Sequence, residues 1–390
     1  MGVKIGLENL LENKIHLLKG KRIGLVVNQA SVDRNLNFCV DLLYSHPQIK
    51  LAALFSPQHG LWSEKQANMI ESQDFFDRKT GLPVFSLYGK RREPTKEMLE
   101  NIDIMVLDLQ DIGVRVYTYI STLALVMKAC KKFGKKIIVL DRPNPINGVN
   151  VEGNLVEPDF ISFVGIYPLP IRHGMTIGEL ALMFNSEFKI GCNLQIVPMQ
   201  GWKREMWFDD TGYKWINPSP NIPTLDSAIV YAATVYLEGT NVSEGRGTTK
   251  PFEFCGAPFI DSEKLAHELN EQSLRGVYFR PIAFQPTFDK WKDKVCFGVQ
   301  IHVLDRNIFK PVRTGLALLK TLYRLFKENF EWRNPPYEYE YKKLPIDLLW
   351  GTDKIRKLIE EGRNVNEIEK TWEKKLEYFK YKRSKYLLYD

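Results

Sequence analysis

Apolar residues in the first 145 positions fall into two alternating patterns. Four short runs are apolar without a helical period: KRIGLVVNQA (21–30), IKLAALFS (49–56), IDIMVLDLQD (102–111) and KKIIVLDRPNP (135–145). The stretches between them have helical spacing. FCVDLLYSH (38–46) is one. In YISTLALVMKACKKFG (119–134), Ile120, Leu123, Ala124, Met127 and Cys130 share a face, and Gly134 suits the helix end. Strands apolar on both faces and separated by helices predict a parallel sheet covered on both sides.

Parallel strands point the same way, so whatever follows each of them gathers along one edge. That edge receives Asn28 and Gln29, then Ser56, Gln58 and His59. It also receives Asp108, Gln110 and Asp111, then Asp141, Arg142 and Asn144. Open α/β sheets bind ligands in such a crevice. Any one Asp or Asn here serves equally well as a helix cap. Gln, His and Arg are not needed as caps, which favours a shared site.

The second half reads differently. CFGVQIHVLDR (296–306) alternates apolar Phe297, Val299, Ile301 and Val303 with polar Gln300 and His302, the pattern of a half-exposed antiparallel strand. Residues 312–330 form an amphipathic helical pattern, and KIRKLIEEG and NEIEKTWEKKLEYFKYK add two more. This predicts a smaller α+β domain over 166–390, following a sheet domain over 1–165.

The linking region, about 146–260, is rich in Gly and Pro, and ordered loops of this kind usually carry function. IRHGMTIGELALMFN sets Arg172 and His173 ahead of a capping box formed by Thr176 and Glu179. In INPSPNIPTLDSA (216–228), three prolines stiffen a loop that presents Ser219 and Asn221. LEGTNVSEGRGTTKPFE (237–253) brings together Glu238, Asn241, Glu244 and Arg246, and Arg246 suits a carboxylate.

Composition narrows the chemistry. The 54 basic and 47 acidic residues leave a net charge of +7, spread along the chain rather than drawn into the dense stripe that nucleic acid requires. No G-x-G-x-x-G or Walker A sequence follows a strand, which argues against a dinucleotide or ATP enzyme. No HxH or HExxH spacing supports a metal-dependent hydrolase, so neither cofactor nor metal is expected. The five cysteines form no CxxC and no framework, as in a reducing compartment. The N-terminal stretch has no continuous apolar h-region, and no run approaches the roughly 20 apolar residues of a membrane span. A cytoplasmic protein with no membrane partner is expected.

Several blocks together resemble the NamZ family of exo-β-N-acetylmuramidases. They include SPQHG, TGLPVFSLYG, DLQDIGVRVYTYISTLALVMKA, VLDRPNPINGVNVEGN, PSPNIPTLDSAIVY and EGTNVSEGRGTTKPFEFCGAPFID, all in order from about residue 20 onward. The resemblance implies a Rossmann-like domain joined to a smaller α/β domain. It also implies a glycosidase that removes β-1,4-linked N-acetylmuramic acid from the non-reducing end of peptidoglycan fragments. The lactyl carboxylate of that sugar would favour Arg142, Arg172 or Arg246. Substrate-binding roles extend to Gln58, Gln110, Asn144, His173, Ser219, Asn221, Asn241 and Glu244.

The chain departs from the family pattern where Gln58 replaces a glutamate and where Ala67-Asn68-Met69 replaces Ala-Gly-Glu. An amide cannot donate a proton with a useful pKa. Glu71 is then the expected acid, with His59 binding sugar and Asp111 completing the catalytic set; Glu64 is a further option. A sugar-binding protein without turnover is the alternative that Gln58 favours.

Overall fold

The first apolar run forms β1 (Arg22–Val27), whose side chains are buried on both faces after Arg22. The computed structural model describes residues 2–390. Further strands follow as β2 (Lys50–Ser56), β3 (Phe75–Phe76), β4 (Pro83–Ser86), β5 (Ile104–Asp108), β6 (Lys136–Leu140) and β7 (Asn193–Val197). They make one seven-stranded sheet in the order β3-β4-β2-β1-β5-β6-β7. All neighbours pair in parallel except β3, a short edge strand antiparallel to β4. The expected parallel sheet is therefore present, and helices such as Tyr119–Lys132 and Ile177–Ser186 pack into its core. The expected boundary at residue 165 is too early. β7 pairs with β6 through Asn193–Val197, so the large sheet needs chain beyond that point.

The second sheet is antiparallel, in the order β8 (Phe254–Ala257), β10 (Cys296–Val303), β9 (Val277–Phe284). Helices Leu225–Thr234 and Pro311–Leu325 pack beside it. They approach closely where Gly315 faces Ala233, since a Cβ on Gly315 would lie 2.3 Å from that residue's carbonyl oxygen. The periodic stretch 366–382 is split into two helices, Val365–Lys370 and Glu373–Arg383.

The two sheets share one interior. A single apolar cluster runs from Leu107 and Leu123 to Leu318 and Trp350. The Trp350 ring stacks on Tyr236, with centroids 3.9 Å apart. The buried Arg115 guanidinium donates to the carbonyls of Asn154 and Leu169 at 2.8 Å and of Leu349 at 2.7 Å. A buried charge held only by carbonyl dipoles locks the lobes in one arrangement, because breaking those bonds leaves unpaired polar groups in an apolar interior. Among the described residues, no helix is long and apolar enough to cross a membrane.

Candidate active site

β2 ends at Ser56, and the chain then turns sharply. His59 and Gly60 both take left-handed backbone angles, φ 73° and 86°. The turn sets Gln58 and His59 into a recess of about 420 Å³ at the sheet edge.

The Gln58 amide has a fixed orientation. Thr118 Oγ1 donates to its Oε1 at 2.5 Å. Its Nε2 therefore faces three acceptors: Tyr88 Oη and Glu338 Oε1, each at 3.1 Å, and Asn68 Oδ1 at 3.3 Å. The His59 Nδ1 lies 2.6 Å from the Lys65 carbonyl. A carbonyl only accepts, so Nδ1 carries the proton and Nε2 is left as an acceptor. Burial pulls the His59 pKa down to about 4, against that hydrogen bond, so the ring is neutral at neutral pH.

Glu338 reaches the recess from the loop before the helix Pro345–Trp350. It is only 5% exposed. Tyr88 Oη lies 2.9 Å from both of its carboxyl oxygens, and an Arg92 Nη2 approaches Oε2 at 3.3 Å. Burial raises its pKa to about 7, with nearby Glu238 adding to the rise, although Arg92, Tyr88 and Gln58 oppose it. Burial, and then the charge of Glu338, push the Tyr88 phenol well above its usual range, so it remains a donor.

Glu238 is a second buried acid in a different setting. Arg246 Nη2 donates to it at 2.6 Å, Tyr337 Oη at 2.5 Å and Asn68 Nδ2 at 3.0 Å. Burial works against charge on Arg246, yet Glu238 and Glu244 together hold its pKa above the ordinary arginine value. Glu244 lies 2.9 Å from Arg246 Nε and 2.6 Å from Lys290 Nζ. Asn68 thus links Gln58 to Glu238, and Gln58 links Asn68 to Glu338. Around this chain, the non-glycine residues His59, Met69, Glu338 and Tyr339 all have positive φ, from 49° to 73°. Such strain persists only where surrounding contacts impose it, and it concentrates at functional sites.

The recess gathers five of the residues expected from sequence: Gln58, His59, Ser219, Asn221 and Arg246. Glu244 supports Arg246 from behind. The others lie elsewhere, each for a physical reason. Glu71 is exposed at the rim, where Tyr339 Oη meets it at 3.3 Å, and it does not line the recess. Asp111 is turned away, accepting from the Gly113 amide at 2.8 Å and lying 3.3 Å from His173 Nε2. Arg142 is held by Asp108, with Nη2 at 2.8 Å, and Gln110 donates to the carbonyl of Pro143. Asn144 bonds the Met175 carbonyl, Arg172 pairs with Glu152 at 2.9 Å, and Asn241 bonds the Asn329 carbonyl. Glu64 packs under Gly60. These groups support the crevice walls rather than facing the cavity.

Sequence reasoning missed Glu338, Tyr88, Tyr337 and Asn68. Glu338 sits in PPYEYEY, whose period-two alternation suggests a strand although it folds as a turn with positive φ at Glu338 and Tyr339, and 280 positions separate it from Gln58. Only the folded contact reveals it.

Residues 23–226 match the family model described as the N-terminal domain of the exo-β-N-acetylmuramidase NamZ, and residues 229–389 match that of its C-terminal domain. The chain is 50% identical over 387 residues to the peptidoglycan β-N-acetylmuramidase NamZ of Bacillus subtilis (strain 168), covering 99% of this chain and 91% of that protein. Two crystal structures of DUF1343 family proteins from Bacteroides fragilis share the fold. One is 38% identical with a TM-score of 0.89, the other 32% identical with a TM-score of 0.80. Both cover 100% of this chain and 99% of theirs.

Proposed function

The chain belongs to the NamZ family of exo-β-N-acetylmuramidases, and from that premise we propose how its recess works. The protein is a glycoside hydrolase that releases β-1,4-linked N-acetylmuramic acid from the non-reducing end of peptidoglycan fragments. One observation carries the assignment of roles: two buried glutamates in unlike environments face a single recess.

Glycoside cleavage passes through a transition state with positive charge at the anomeric carbon and negative charge on the leaving oxygen. Glu338, with a pKa raised to about 7 by burial, retains a proton near neutrality and delivers it to that oxygen. Glu238, ion-paired with Arg246, supplies the negative charge that the anomeric centre needs, or steadies the acetamido group if that group attacks. His59 Nε2 accepts from a sugar hydroxyl. Arg246 Nη1 makes its weakest contact, 3.5 Å to the Gln66 carbonyl, and is the donor left for the lactyl carboxylate. Gln58 is not the acid. Its amide orients Glu338 and Asn68.

A binding protein without turnover fits less well, because Glu338 supplies the proton that Gln58 lacks. A cytoplasmic setting is part of the proposal and rests on the five unpaired, buried cysteines. The test is product analysis on defined muramic-acid-terminated oligosaccharides. Stepwise release of free N-acetylmuramic acid supports the proposal; internal fragments, or no products, refute it.

A further inference from the structure

The recess does not end at the bond to be cut. A second hollow of about 1,100 Å³ opens beside it and shares four wall residues with it: Asn68, Glu238, Arg246 and Tyr337. Its remaining surface is mostly apolar, with Met69, Ile70, Phe288 and Pro336, and it carries two carboxylates, Asp289 and the ion-paired Glu244, and one exposed guanidinium, Arg333. Among the described residues, Arg333 forms no salt bridge. The hollow therefore presents an apolar surface beside a free cation, next to Glu238.

Phe288 is held in place by the Arg246 loop. Gly247 has φ 77°, and a Cβ there would lie 2.8 Å from the Phe288 amide nitrogen. The Gly247 carbonyl accepts from the Thr287 amide at 2.9 Å and from its hydroxyl at 3.0 Å. The backbone that carries the ring is thus tied to the loop of the residue that pairs with Glu238. Aromatic rings fixed at a set distance from a cleavage site suit the flat apolar face of a sugar, and little conformational entropy is lost on binding.

We propose that this hollow is the leaving-side subsite. The sugar on the reducing side of the scissile bond packs on Phe288, and the acidic group of the next muramic acid, one sugar further along the fragment, meets Arg333. The inference rests on the glycosidase reading above and extends it to the part of the substrate that the enzyme does not release. The recess then takes the sugar that is released, and everything beyond the bond lies in the hollow.

Two substrates separate this proposal from the reading beneath it. A chromogenic β-N-acetylmuramide has a small leaving group that barely enters the hollow. A muramic-acid-terminated trisaccharide, whose third sugar is a second muramic acid with its own lactyl carboxylate, fills it. In Phe288→Ala and Arg333→Ala, kcat/KM on the trisaccharide should fall about tenfold, mainly through KM. Turnover of the chromogenic muramide should stay within about twofold, which also shows that the variants fold. Equal losses on both substrates, or no loss on the trisaccharide, overturn the subsite. If the wild-type protein cleaves neither substrate, the glycosidase reading fails, and the subsite fails with it.

Discussion

Gln58 Nε2 lies 3.1 Å from Glu338 Oε1, joining the end of a sheet strand to a loop 280 positions later. An amide that donates to an acid orients it without competing for its proton. Replacing Gln58 with Glu places a second carboxylate against Glu338, and adjacent like charges cannot both ionise. In Gln58→Glu the alkaline limb of the pH–rate profile should rise by about one unit or more. An unchanged limb means the two groups are not coupled.

Removing the acid should stop catalysis without harming the fold. Glu338→Gln keeps the shape and the Tyr88 contact but cannot donate a useful proton. Hydrolysis of muramic-acid-terminated disaccharides should drop by about 10²–10⁴-fold. Circular dichroism checks that the fold is retained.

The pH dependence follows from the same burial. An acid with a pKa near 7 is protonated below that value and ionised above it. The rate kcat/KM should therefore hold steady on the acid side of neutrality and decline as pH rises through about 7. Glu338→Gln should lose that limb along with its activity.

Burial of Glu338 also leaves a mark on stability. Its folded pKa, about 7, exceeds its unfolded value of 4.5. The folded state binds more protons between these values, so stability is greatest below about 4.5 and is lost as pH rises towards 7. The amount is about 3 kcal/mol. Glu338→Gln should flatten this part of the curve of unfolding free energy against pH, measured by denaturant titration.

Arg246 holds two buried carboxylates, Glu238 at 2.6 Å and Glu244 at 2.9 Å. Arg246→Met leaves Glu238 with no cation and Glu244 with Lys290 alone. Breaking a buried ion pair from one side costs about 3–5 kcal/mol. A fall in Tm and in the urea midpoint checks this, and activity should be lost as well.

The sequence made the frame of the molecule legible and left half the site hidden. The runs at 21–30, 49–56, 102–111 and 135–145 became β1, β2, β5 and β6, because an unbroken apolar run admits few other structures. β3 and β4 carry too few residues to show a period, and β7 lies past the expected boundary with a half-exposed pattern. Strand ends delivered Gln58 and His59 to the recess as expected. Arg142 and Asp111 obey the same rule of position, but their side chains are taken up by Asp108 and the Gly113 amide. Position along a strand predicts which edge a residue reaches, not which way its side chain turns. Glu338 depends on loop packing alone, which no local pattern encodes.

The most direct test compares leaving groups. A proton donor matters when the departing oxygen is basic and hardly matters when it is a stable phenolate. Measure kcat/KM for wild type and Glu338→Ala on two β-N-acetylmuramides, one bearing a dinitrophenol and one bearing N-acetylglucosamine. If Glu338 is the acid, the variant keeps most of its rate on the dinitrophenyl substrate and loses nearly all of it on the disaccharide. Equal losses on both substrates would contradict the account.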